Sequence, residues 1–213
     1  HAAEQTRGAY DFTVAPVAYC WGFEGGPVPT NPPTLDTLAA TRVGQGARNL
    51  VLFDYGAASL LQPQTKLSVN GLLDAYATDI AVVDMREKDI ANAFVHIGQS
   101  ARALGVPDAS GLWQAALPHP FASNTTIGRI SLDKVAAVSW VLPSQPSITI
   151  GGKTYGHVID PRTGRPVQGI ALAAACGPTA TLADILARCA VVLGPTNSGK
   201  ALAEFPRYDL LVI

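Results

Sequence analysis

The feature that most constrains how this chain can fold is the stretch Tyr155-Gly156-His157-Val158-Ile159-Asp160-Pro161-Arg162-Thr163-Gly164-Arg165-Pro166. Its first half is strand-like, with β-branched and aromatic residues behind the tight-turn pair Gly151-Gly152. Its second half cannot continue as regular structure. Pro161 and Pro166 have no amide donor, and Gly164 supplies permissive dihedrals between them. A strand must therefore run into a rigid loop that carries an imidazole, a carboxylate, a guanidinium and a hydroxyl on His157, Asp160, Arg162 and Thr163. Rigid loops on a sheet scaffold are where binding and catalytic groups concentrate. An ordinary strand followed by an Asp-Pro turn is the competing explanation.

Around that stretch, hydrophobic periodicity predicts an α+β fold, a mostly antiparallel sheet with two main helices packed on it. Strands are expected over 49–53, 66–69, 92–97, 101–104, 111–116, 127–132, 134–138 and 169–176, and a hairpin over 147–150 and 153–159 turns at Gly151-Gly152. A short helix opens at Thr34, with Leu35 and Leu38 on one face. A longer one is N-capped by Asn70 and repeats Leu72, Tyr76, Ile80 and Val83 at helical spacing through Met85. Another begins at Thr181, with Leu182, Ile185, Leu186, Cys189 and Val192 apolar, and its Thr181-x-x-Asp184 reads as a capping box.

Composition narrows the function classes. At 213 residues and 48% hydrophobic content, the chain is most simply one large domain, 1–213. A net charge of −1 makes no case for nucleic acid or an anionic membrane surface. No apolar run reaches the roughly 18 residues of a membrane span. Cys20, Cys176 and Cys189 lack metal-ligand spacing, and an odd count does not form a disulfide framework. The run Gly194-Pro195-Thr196-Asn197-Ser198-Gly199-Lys200-Ala201 nearly spells a P-loop, but Ala201 cannot supply the hydroxyl that would ligate magnesium. It reads instead as a helix end, a glycine turn and a second short helix.

Several runs carry a family resemblance. His157 through Gly164 resembles the signature of the ApbE family, the FAD:protein FMN transferases. Gly8-Ala9-Tyr10-Asp11-Phe12-Thr13-Val14-Ala15-Pro16, followed by Trp21-Gly22-Phe23, is similar to a second run of that family. A third, at 67–79, keeps Gly71, Tyr76, Ala77 and Asp79 but has Asp74-Ala75 where the family has Lys-Gly. Exchanging a cation for an anion about 4 Å from a diphosphate, at surface-like dielectric, is worth several kcal/mol. Gly98-Gln99-Ser100 keeps one glycine of the family's Gly-Gly-Asp bend, and Val138-Ser139-Trp140 keeps only Ser139 of its Thr-Ser-Gly. Thr179 to Asp184 matches a metal-holding run, but its hydroxyl position falls on Arg188. One helical turn separates Arg188 from Asp184, so an ion pair that competes with a divalent cation is expected.

The resemblance implies an ApbE-like, T-fold-related domain that moves FMN from FAD to a Ser or Thr hydroxyl of a flavin-acceptor protein. AMP would leave and Mg2+ would assist. It makes His157 the base, Asp184 the metal ligand and Asp160 the residue that fixes the loop. Thr163 and Gly164 would line the flavin nucleotide site, together with Asp11, Thr13, Gly71, Tyr76 and Ser139. Two alternatives use the same fold. One is a non-catalytic relative that binds a flavin or a protein, favoured by Asp74, Ser100, Trp140 and Arg188. The other is an FAD hydrolase that gives FMN and AMP. The family implies a periplasmic or cell-envelope location. Because the chain starts at His1 and stops after an apolar run, it is expected to be truncated at both ends. A signal peptide or lipid-anchor cysteine in the missing part would be its one membrane contact.

Overall fold

The computed structural model describes residues 5–107, 111–133 and 136–213. In chain order the elements are α1 (Ala15–Cys20), α2 (Leu35–Thr41), β1 (Leu50–Leu52), β2 (Ala58–Leu60), α3 (Leu73–Glu87), β3 (Ala93–Ile97), β4 (Ser100–Leu104), β5 (Trp113–Pro118) and β6 (Thr126–Leu132). They continue with β7 (Ala137–Val141), β8 (Ser147–Ile150), β9 (Lys153–Gly156), β10 (Ile159–Asp160), β11 (Arg165–Pro166), β12 (Ala173–Gly177), α4 (Ala180–Leu202) and β13 (Asp209–Val212). This is the expected α+β class, and every strand pair is antiparallel. The chain falls into two compact units, His1–Val69 with Pro143–Gln168, and Asn70–Leu142 with Gly169–Ile213.

The first unit is built from short pieces. Pro16 sits in the first turn of α1, where its missing amide costs nothing. Thr34 caps α2 by accepting from the Thr37 amide at 3.2 Å. Val17, Ala18, Trp21, Phe23 and Leu38 pack with Ile150 of β8 and Ile159 of β10. The β8–β9 hairpin turns at Gly151-Gly152 as expected, both with positive φ. The strand expected to run through 159 stops at Gly156, whose Cα lies against the Pro143 carbonyl with no room for a side chain. The strand expected over 66–69 does not form either. The Ser68 amide donates to the Phe12 carbonyl at 2.6 Å, outside any ladder.

The second unit is a five-stranded sheet in the order β13-β12-β7-β4-β3. Alternation along the strands gives it two apolar faces. Ala101, Ala103, Val138, Trp140 and Ala174 pack against Ala115, Leu117 and Leu132 of the β5–β6 hairpin. On the other face, Ala137 meets Ala75 of α3 and Ala180 of α4, while Val95 and Leu104 meet Val82. All of β7 is therefore buried. The strand expected over 134–138 falls at Ala137–Val141; its first two residues lie outside the described ones.

Three helix expectations are corrected. The long helix is capped at Leu72 and begins at Leu73 rather than following an Asn70 cap. Its apolar repeat faces outward, with Tyr76 56% exposed and Ile80 48%, and the buried face is Ala75, Thr78, Asp79 and Val82. Small residues on that face allow close packing on Ala137 and Ala180, and they let Asp79 reach inward. In α4 the N-cap is Thr179, with no side-chain cap of its own, so the Thr181-Asp184 capping box is not used. The P-loop-like run is helical and kinks at Gly194, φ +70°, as the break-and-second-helix reading expects.

Candidate functional site

In the first unit, the loop after β10 is held from both sides. The Asp160 carboxylate accepts from the Arg162 amide, Nε and Nη2, each at 2.9 Å. Its backbone carbonyl accepts from the amides of Thr163 and Gly164 at 3.2 and 2.8 Å. Gly164 takes φ +71°, a conformation that side-chain-bearing residues seldom adopt. The Gly164 carbonyl accepts from Trp21 Nε1 at 2.8 Å, so an aromatic packed in the core also pins the loop. The Arg165 amide donates to the Thr163 hydroxyl at 3.3 Å. His157 is half-buried, and its amide is shared between the carbonyls of Pro143 and Pro146 at 3.1 and 3.2 Å.

Asp11 and Thr13 form a second knot in the same unit. Asp11 Oδ1 accepts from the Thr13 amide at 2.8 Å and from its hydroxyl at 2.6 Å. The Thr13 hydroxyl in turn accepts from the Gly46 amide at 2.7 Å. The neighbouring Gln45 donates to the Pro161 carbonyl at 2.8 Å and accepts from Arg42 Nε at 3.1 Å. Gln45-Gly46 therefore ties the Asp11 turn to the Asp160 loop. Between them opens a cleft of about 500 Å³, whose lining includes Asp11, Arg42, Arg48 and Arg162. Arg162 is paired with the Asp160 carboxylate behind the lining, so Arg42 and Arg48 set against Asp11 leave the recess with a modest positive excess. Arg42, Gln45 and Arg48 were not singled out in the sequence, because isolated polar residues between short elements carry no motif.

The other candidate residues lie in the second unit. Ser139 is fully buried. Its hydroxyl bonds to Ser100 Oγ at 2.7 Å and donates to the Ala180 carbonyl at 3.0 Å. Tyr76 stands exposed on α3. The N-terminus of α4 is capped from afar by Asp79, which accepts from the amides of Ala180 and Thr181 at 2.9 Å and from the Thr181 hydroxyl at 2.6 Å. Arg102 Nη1 completes that set at 2.7 Å. A carboxylate at a helix N-terminus satisfies orphan amides and complements the macrodipole.

One turn into α4, Asp184 is held by the expected ion pair. Arg188 Nε donates to Asp184 Oδ2 at 2.6 Å, and Nη2 lies 3.4 Å from Oδ1. The same Nη2 donates to the Gly71 carbonyl at 2.8 Å. A Cβ on Gly71 would overlap the guanidinium, so only glycine allows this approach. Burial pushes the Asp184 carboxyl above its ordinary range, Arg188 draws it back, and Asp74 adds a push upward. Among the described residues no group of three or more His, Cys, Asp and Glu side chains converges to hold a metal. The residues present do not fit a divalent cation on Asp184: its carboxylate and the nearby Gly71 carbonyl are both taken by a guanidinium.

The sequence matches the model of the ApbE family over residues 1–212. It is 29% identical to the FAD:protein FMN transferase of Haemophilus influenzae over 97% of this chain and 60% of the relative. Against the FAD:protein FMN transferase of Escherichia coli K12 it is 26% identical, covering 93% of this chain and 58% of the relative. The chain thus spans about three-fifths of the length of the curated relatives it matches. Among solved structures it is similar to the ApbE protein of Thermotoga maritima, with TM-score 0.88 and 26% identity over 100% of this chain and 69% of that one. The flavin transferase ApbE of Vibrio cholerae gives TM-score 0.81 and 26% identity over 100% and 67%.

Proposed function

The chain belongs to the ApbE family, and from that premise we propose that it transfers FMN from FAD to a Ser or Thr hydroxyl of an acceptor protein, releasing AMP. The observation that carries this reading is the joining of the Asp11 turn and the Asp160 loop through Gln45-Gly46. Two runs far apart in sequence are thereby held as one rigid piece beside a cleft of modest positive excess. Preset positive groups suit the phosphates of a dinucleotide. In the reaction, the acceptor oxygen bonds to the FMN phosphorus, the phosphorus–oxygen bond to AMP breaks, and the acceptor proton leaves. His157, at the strand-to-loop break, is the base assigned to that proton. Arg188 occupies the Asp184 carboxylate that the family resemblance assigns to magnesium. A periplasmic or cell-envelope setting belongs to the same proposal.

The test is incubation of the full chain with FAD and candidate acceptors, followed by chromatography for AMP and mass spectrometry of the acceptor. The expected result is AMP in step with an FMN-sized mass increase, both lost in His157→Ala. AMP and FMN without acceptor labelling would make the protein an FAD hydrolase. A second reading, a non-catalytic flavin-binding relative, is favoured by Arg188 on Asp184. Saturable FAD binding with no AMP would establish it.

A further inference from the structure

We infer that Arg188 is the resident cation of this chain's Asp184 site, and that the protein binds no divalent metal there. Two oxygen-bearing groups converge on one guanidinium: the buried Asp184 carboxylate, at 2.6 and 3.4 Å, and the Gly71 carbonyl, at 2.8 Å. Carboxylate and carbonyl oxygens are the donors a hard cation takes. The guanidinium holds them as a planar fork, with its charge never titrating near neutral pH. Gly71 completes the fit, since any side chain there would displace the guanidinium. The pair is enclosed, with Arg188 18% and Asp184 3% exposed at the side chain. A metal ion would have to expel the arginine from both donors to enter.

The charges nearby follow the same logic. Asp74, at the start of α3, acts on Asp184 as a second negative group. Its carboxylate lies against Gly98, where φ is +56° and a Cβ would overlap it. Arg188 thus holds one buried carboxylate and one carbonyl, with a second carboxylate acting on the first. Without its charge, that set is suited to a hydrated divalent cation, which needs only one or two carboxylates and keeps several waters. The inference holds whether or not the chain transfers FMN.

The experiment is titration of the full chain with Mn2+, read by the electron paramagnetic resonance of the free ion, for wild type, Asp184→Asn and Arg188→Thr. Wild type is expected to show no saturable site below millimolar Mn2+, and its melting temperature to be the same in Mn2+ and in EDTA. Arg188→Thr is expected to gain one site at least tenfold tighter than any wild-type binding, lost again when Asp184→Asn is added. Saturable Mn2+ binding by wild type that Asp184→Asn abolishes would overturn the inference. A folded Arg188→Thr protein that gains no site would overturn Arg188 as the reason. If that variant does not fold, the wild-type and Asp184→Asn titrations decide alone. FAD turnover enters none of these readouts, so they stand apart from the transferase test.

Discussion

Two of the molecule's Asp–Arg pairs look alike on paper and differ in what surrounds them. Asp160 and Arg162 lie two residues apart on a loop, at 2.9 Å, with side chains 15% and 42% exposed. Asp184 and Arg188 lie one helical turn apart at 2.6 Å, 3% and 18% exposed. In the loop, water shares the charge, and the Arg162 backbone amide is a further donor to the carboxylate. In the helix, burial has removed that help, and the guanidinium becomes the principal counter-charge. Proximity of opposite charges is common to both; dependence on the partner is not. The first pair shapes a turn, while the second neutralises a buried acid.

The largest test of that difference removes the arginine of the buried pair. Arg188→Ala leaves a carboxylate inside the protein without its cation, and such a loss costs about 3–5 kcal/mol. Urea unfolding of the full chain should show it directly. Replacing both partners together, Asp184→Asn with Arg188→Met, should recover most of that loss, because no buried charge remains. If Arg188→Ala costs under about 1 kcal/mol, the pair behaves like a surface pair and the comparison fails.

How much of this was legible in the sequence follows from the same contrast. The Asp160 loop was readable because its constraints are local: Pro161, Gly164 and Pro166 dictate a break whatever packs around it. The Arg188–Asp184 contact was readable too, since four residues on a helix are neighbours by geometry. Contacts between distant segments were not. Nothing near Asp79 announces that it caps a helix 101 residues away. Nothing near Trp21 says that its indole holds the carbonyl of Gly164. The face of α3 was misread because apolar repeats usually point inward, whereas here small residues and one carboxylate make the tight contact. Ser139 could be read as a site residue only by position in a motif; its hydroxyl is committed to Ser100 and the start of α4.

A second test follows the proton. Burial raises the Asp184 carboxyl, so over the window from the ordinary Asp pKa of about 3.9 up to the raised folded value, the folded state holds more protons than the unfolded one. The contribution of Asp184 to stability is then fully present below the unfolded pKa and is lost as pH rises through the folded one. Wild type measured against Asp184→Asn across roughly pH 4 to 7 should show the wild-type contribution falling with pH, by at most about 1.4 kcal/mol per pH unit. A contribution that instead grows with pH would mean that Arg188 outweighs burial, and the buried acid would be better described as a fully formed ion pair.

The smallest effect belongs to the exposed pair, and it is the more discriminating for being small. Arg162→Ala removes two of the three bonds to the Asp160 carboxylate, those from Nε and Nη2. The backbone amide bond at 2.9 Å remains, as do the amides of Thr163 and Gly164 on the Asp160 carbonyl and Trp21 on the Gly164 carbonyl. The turn therefore keeps its internal scaffold, and the loss should stay within about 0.2–1 kcal/mol and shrink further in high salt. Urea unfolding at low and high ionic strength measures both statements. A cost above about 2 kcal/mol, insensitive to salt, would place Asp160–Arg162 with the buried pair. The loop would then owe its rigidity to the guanidinium rather than to the proline–glycine backbone that makes it visible in the sequence.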